Sequence, residues 1–112
     1  MEIEVREERE GGVMILLPVG RLDSTNAREF EDIVLDHLNA GEKRLVLDFT
    51  HLTFISSSGM RVLLIAAKRL RATAGKLVLC SQSESIREIF AISGFDRIIS
   101  IYKDRAGALA AL

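Results

Sequence analysis

The run Leu45-Val46-Leu47-Asp48-Phe49 constrains this chain more than any other feature. A strand with one face in water alternates apolar and polar residues. A nearly unbroken apolar run instead fits a strand covered on both faces, as in the middle of a parallel sheet. Lys76-Leu77-Val78-Leu79-Cys80 repeats the pattern, and apolar residues at helical spacing lie between the two runs. A strand, helix, strand order of this kind requires a right-handed crossover and a largely parallel sheet.

The remaining segments extend that plan. Ile3 and Val5 alternate with charged residues, Gly11-Gly12 supplies a turn, and Val13 to Val19 is a second β-rich run, which predicts an opening hairpin. Pro18 is expected at an edge or a strand terminus, because it donates no ladder hydrogen bond. Ala27, Phe30, Ile33, Val34 and Leu38 mark a first helix, with Asn26 and Glu29 as a capping box and Asp23, Ser24 or Thr25 as other caps. His51 to Ile55 reads as a connection. Ser56-Ser57-Ser58-Gly59 then leads into a second helix with Met60, Leu63, Leu64, Ala67 and Leu70 inward. Its first turns are apolar almost all round, through Val62, Ile65 and Ala66. Ser85 and Glu88 suggest a capping box for a third helix that turns Ile86, Ile89 and Phe90 inward and stops at Gly94. Arg97 to Ile101 reads as a short strand. Asp104 to Leu112 reads as a last helix capped by Asp104, with Ala106, Leu109 and Leu112 inward. The expected class is therefore α/β: a mostly parallel sheet of about five strands with an N-terminal hairpin, flanked by about four helices.

A chain of 112 residues has room for one domain, placed at residues 1–112. With 15 basic and 16 acidic residues the formal charge is −1, and no basic stripe is available to neutralise nucleic-acid phosphates. No apolar run approaches the ~20 residues that span a bilayer, so direct membrane insertion is not expected. The opening Met1-Glu2-Ile3-Glu4-Val5-Arg6 is unlike a signal peptide, and Cys80 has no second cysteine to pair with, so the expected location is the cytoplasm. His37 and His51 stand apart from any Cys/His cluster, which argues against a metal site. Cys80, in an apolar strand, reads as a small buried hydrophobe. No phosphate-binding glycine loop and no set of nucleophile, base and orienter can be written down. Binding is thus favoured over catalysis.

Three adjacent hydroxyls, Ser56, Ser57 and Ser58, fall where a strand gives way to a helix. Serine is a preferred helix cap, but one helix needs one cap. A helix N-terminus also carries free N–H donors and a positive dipole end, so a phosphoserine there need not unfold the chain. Its 1.5 to 2 added negative charges, roughly, would expel a partner that presents carboxylates or apolar groups.

At this point the chain resembles the anti-sigma factor antagonists, single-domain members of the STAS group. The matching landmarks are Gly20-Arg21-Leu22-Asp23, Leu45-Val46-Leu47-Asp48-Phe49, Phe54-Ile55-Ser56-Ser57-Ser58-Gly59-Met60 and Ser93-Gly94-Phe95. The resemblance implies a STAS-like fold and partner switching. In that family the unphosphorylated domain binds an anti-sigma factor that is also a serine kinase, and so releases the sigma factor. Phosphorylation on one serine separates the pair, and a PP2C-type phosphatase restores binding. The family motif, Asp-Ser-Ser/Thr-Gly, places the acceptor at Ser57, with Ser58 and Ser56 as lesser candidates. The implied partner surface comprises Asp23, Ser24, Thr25, Asn26, Ser56, Ser57, Ser58, Gly59, Met60 and Arg61. Ser56 stands where the motif has Asp, so a fixed charge beside the acceptor is missing. No cofactor is implied for this chain, since ATP belongs to the kinase. Other roles that suit a STAS domain are an accessory subunit of a membrane lipid-transport complex and a small-ligand or nucleotide sensor using helix N-termini at the sheet edge.

Overall fold

Strand formation follows the apolar runs, and each helix begins where a capping side chain precedes an amphipathic stretch. The computed structural model describes residues 2–112; Met1, the first residue of the acidic opening segment and of the expected domain, lies outside the described residues. The elements are β1 (Glu4–Glu10), β2 (Val13–Leu22), α1 (Ala27–Asn39), β3 (Arg44–Asp48), β4 (Leu52–Ile55), α2 (Ser57–Ala72), β5 (Lys76–Cys80), α3 (Glu84–Ser93), a 3₁₀ turn (Phe95–Arg97), β6 (Ser100–Tyr102) and α4 (Arg105–Ala110). The sheet order is β1-β2-β3-β5-β6, with β4 also paired to β2. The β1–β2 hairpin is antiparallel and every other pairing is parallel. The fold is the expected mixed α/β architecture, with six strands and four α-helices among the described residues.

One strand arises where the sequence suggested a connection. After Asp48 the chain turns at Thr50 and re-enters the sheet as β4, which pairs with Gly20, Arg21 and Leu22 beyond the part of β2 that pairs with β3. Four residues are too few for a period to stand out, so long-range pairing decides the matter. Pro18 is not at an edge or terminus. It is buried inside β2, between the stretch paired to β3 (Met14–Leu16) and the stretch paired to β4 (Gly20–Leu22), where a missing N–H interrupts neither parallel pairing.

Several local expectations shift. Asn26 precedes α1, but its side chain does not cap the helix, and Glu29 closes no capping box; Glu29 Oε1 accepts from the backbone N–H of Ile3 instead, at 2.9 Å. Ser83, not Ser85, caps α3, because its hydroxyl accepts from Ile86 N at 3.3 Å. Gly94 ends α3 in the left-handed region, at φ 75°, as a C-terminal glycine commonly does. Residues 95–97 form the 3₁₀ turn and the strand starts later, at Ser100, since Phe95 must tuck in to stack on Phe90. Ile89 is exposed, and in α4 the buried residue is Ala108, not Ala106.

The two faces of the sheet are covered unequally. One carries the main core, with Leu16, Leu45, Leu47 and Leu79 packed under Phe30 and Val34 of α1, Leu63, Ala66 and Leu70 of α2, and Ile86 and Phe90 of α3. The other carries Val13, Ile15, Leu17, Val46, Val78 and Cys80, with Ala108 of the short α4. Arg105 holds α4 there: its Nε donates to Asp48 Oδ2 at 3.2 Å and its Nη1 to Glu8 Oε1 at 2.7 Å and Glu10 Oε2 at 3.0 Å. Asp48, 3 % exposed, needs such a partner, because a buried charge is costly unless paired.

Candidate functional site

Two loops meet at the carboxyl ends of β2 and β4. They are joined by the backbone bond from Ser56 N–H to Leu22 C=O, 2.9 Å, which places the residue after Leu22, Asp23, beside the start of α2. The first loop is held by its own short polar side chains. Asp23 Oδ1 accepts from Thr25 N–H at 3.0 Å and from the Thr25 hydroxyl at 2.6 Å, a side-chain turn typical of Asp. The buried Asn26 donates from Nδ2 to Arg21 C=O at 2.8 Å and accepts at Oδ1 from Asp23 N–H at 2.9 Å. The Thr25 hydroxyl and N–H hold the Asp23 carboxyl below its ordinary pKa, with Arg21 adding a smaller pull. Ser24 and Thr25 are exposed at the tip.

In the second loop Ser56 is the cap, accepting from Gly59 N–H at 3.2 Å. Ser57 therefore begins the helix and Gly59 lies within its first turn. Ser57 is exposed and Ser58 half-buried, and neither side chain makes a hydrogen bond to another described residue. No acidic side chain occupies the first turn of α2, so the helix itself supplies no counter-charge to the positive end of its dipole. Gly59 is buried because the helix start presses onto the sheet: a Cβ there would lie 2.8 Å from both Ile55 Cγ1 and Leu22 Cγ. Met60 is half-buried against the main core. Arg61 is exposed, with no ion pair among the described residues.

All the residues read from sequence as a partner surface, Asp23 to Asn26 and Ser56 to Arg61, thus sit on the loop after β2 and on the capped start of α2, brought together by the Ser56–Leu22 backbone bond, with Asn26 and Gly59 as buried supports. Reasoning from sequence missed Arg21 and Phe54. Their Cα atoms are partners in the β2–β4 pairing, and the Arg21 guanidinium lies 4.1 Å from the Phe54 ring centroid and 3.7 Å from Asp23 Oδ2. That stack extends the surface with a cation–π contact, and it was illegible while residues 51–55 read as a loop.

Elsewhere the chemistry is sparse. No group of three or more His, Cys, Asp or Glu side chains is placed to hold a metal ion among the described residues. His37 lies 3.3 Å from Glu7 and His51 is exposed. Burial, the largest cause, pushes the Cys80 thiol up to about 11, far from a nucleophile's range. No helix among the described residues is long and apolar enough to cross a membrane.

The sequence profile of the STAS domain family matches residues 4–108. A protein of Bordetella bronchiseptica named "Putative anti-sigma factor antagonist BtrV" is 42 % identical over 100 residues, spanning 89 % of this chain and 86 % of the relative. The crystal structure of a "putative anti-sigma factor antagonist" from Thermotoga maritima superimposes with a TM-score of 0.91 at 26 % identity, over 96 % of this chain and 92 % of that one. The Bacillus cell fate determinant SpoIIAA in its phosphorylated form superimposes with a TM-score of 0.73 at 20 % identity, over 97 % of this chain and all of that one (100 %), a likeness of fold.

Proposed function

This chain belongs to the STAS domain family, and from that membership we propose that it is an anti-sigma factor antagonist, a binding protein and not a catalyst, acting as one domain over residues 1–112 in the cytoplasm. Unphosphorylated, it binds an anti-sigma factor serine kinase through Asp23–Asn26, Ser56–Gly59, Met60 and Arg61, and so frees the sigma factor. Phosphorylation of Ser57 ends that binding, and a PP2C-type phosphatase reverses the modification.

The observation that carries this reading is the state of Ser57. It is exposed, unbonded and set at a helix N-terminus without an acidic residue in its first turn. A phosphate there meets free N–H donors and the positive end of the dipole, so the fold accepts it while the outer surface gains two negative charges, roughly. The relatives' names and the phosphorylated form of SpoIIAA support the same direction. Ser56 in place of the motif's Asp keeps the cap, since Ser and Asp both cap well, and removes only the charge.

The test is a phosphosite map of the protein purified from its own cells, beside a Ser57→Ala copy, with partner binding measured for Ser57→Asp. Phosphate on Ser57 that vanishes in the alanine variant, with binding weakened about tenfold or more by Ser57→Asp, is the expected result. Binding to a kinase that never modifies Ser57 in the presence of ATP would overturn the switch.

A further inference from the structure

A second site lies at the same carboxyl edge of the sheet, away from the two loops. Beyond β5 and β6, a cleft of about 430 Å³ opens between α3, the 3₁₀ turn and the end of β6. The carboxyl ends of parallel strands are where open α/β sheets commonly receive ligands, and this volume is within the range of small-molecule sites.

The wall of the cleft contains an unmet polar group. Gln82, 6 % exposed, lines it, and its Oε1 is sealed from solvent with no hydrogen-bond partner. It is the one such buried side-chain atom among the described residues. Leaving a buried acceptor unpaired is costly, and native structures rarely do so without a reason. The terminal torsion of Gln is soft, so the amide can turn its oxygen to a donor arriving in the cleft.

The rest of the lining is chemically consistent. The floor includes the fully buried Phe90 and the half-buried Ile101. Around it stand Arg87, Lys103, Asp96 and Tyr102, and no side chain of these four makes a hydrogen bond or ion pair with another described residue. Arg6, Arg9, Arg21 and Arg105 are paired with carboxylates, whereas Arg87, like Arg61, is not. Two cations against one carboxylate leave a single net positive charge, which suits a monoanion better than a phosphate dianion. A guanidinium fork matches a carboxylate in shape as well as charge.

We propose that this cleft binds a small organic carboxylate that also presents an N–H donor: Arg87 and Lys103 take the carboxylate, the Gln82 amide oxygen accepts the N–H, and Ile101, backed by the buried Phe90, receives the apolar body. The site is independent of the Ser57 switch, and its test needs no kinase.

N-acetyl-leucine and N-acetyl-phenylalanine carry all three groups and serve as probes in amide NMR titrations of the full chain. The expected result is saturable shifts of the Gln82 side-chain amide and of the Arg87, Tyr102 and Lys103 backbone amides. The backbone-amide shifts should be absent with the N-acetyl methyl esters, lost in Gln82→Leu, and moved to about tenfold or more higher concentration in Arg87→Gln. Gln82→Leu removes an unpaired buried polar group, so its melting temperature should equal or exceed the parent's. If that variant misfolds, Arg87→Gln alone carries the test. No saturable shift up to about 10 mM, equal binding by Gln82→Leu, unchanged binding by Arg87→Gln, or the same shifts with inorganic phosphate would each overturn the proposal.

Discussion

Helices α2 and α3 start alike. Both follow a parallel strand at the carboxyl edge of the sheet, and both are capped by a serine hydroxyl that accepts from the backbone N–H three residues on, Ser56 from Gly59 at 3.2 Å and Ser83 from Ile86 at 3.3 Å. Past the cap they diverge. The first turn of α3 carries Glu84, which answers the helix dipole, and its third residue, Ile86, is a core side chain. The first turn of α2 has no acid, and its third residue is Gly59, pressed on Leu22 and Ile55. One helix start is electrostatically complete and anchored by bulk. The other is drawn tight to the sheet and left open to an anion. The two starts thus differ in what they leave available, and the open one is where we place the switch.

Substitutions at the third residue of each helix give the largest contrast. Ile86→Ala should cost about 3 kcal/mol, the loss of a buried side chain plus a cavity. Gly59→Val should cost about 2 kcal/mol for the opposite reason, because added atoms meet the buried Leu22 and Ile55. Urea unfolding checks both, and a Gly59→Val protein as stable as the parent would break the claim that α2 is seated closely.

Removing the caps should bring the helices back together. Ser56→Ala and Ser83→Ala are each expected to cost about 1 kcal/mol, and a large inequality in their denaturation midpoints would show that the two serines do different work.

Charge should separate them again, by less. Glu84→Gln should destabilise by about 0.5 kcal/mol, whereas Ser57→Asp should stabilise by about the same amount at low ionic strength. Thermal melts at two salt concentrations read both, and the differences should shrink as salt rises. A destabilised Ser57→Asp would contradict an N-terminus that welcomes negative charge.

The smallest effect belongs to the loop beside α2. The Thr25 bonds depress the folded pKa of Asp23, so its contribution to stability is full above the ordinary carboxylate range and is lost as pH falls through the lowered value. Thr25→Val should move the Asp23 titration upward, read by carboxyl NMR. An unchanged titration would mean that the Thr25 hydroxyl does not hold the carboxylate.

Much of this was legible beforehand. The buried runs at 45–49 and 76–80 located the central strands, and the helical stripes at 27–38 and 60–70 located the helices that cover them. The Ser56–Gly59 segment was legible through its cap chemistry and its family resemblance. Three features were not. Residues 52–55 are too short to show a period, so β4, and with it the Arg21–Phe54 stack, emerged only from pairing with β2. Ser85 and Glu88 fit a capping box on paper, but the helix begins at Glu84, so Ser83 is the residue placed to cap it. The Gln82 cleft joins residues of α3, the 3₁₀ turn and β6 with Gln82 and Lys103 on either side, and no regular spacing reveals it.

Local residue order set the alternation of buried strands and amphipathic helices, because apolar periodicity and caps are properties read within a few residues. It also determined that three hydroxyls stand at one helix start. Folding settled which strand pairs with β2 beyond Pro18, which carboxylates hold Arg105, and which guanidinium stacks on Phe54. Those outcomes depend on distances between residues far apart in the chain, and such distances exist only once the sheet has formed.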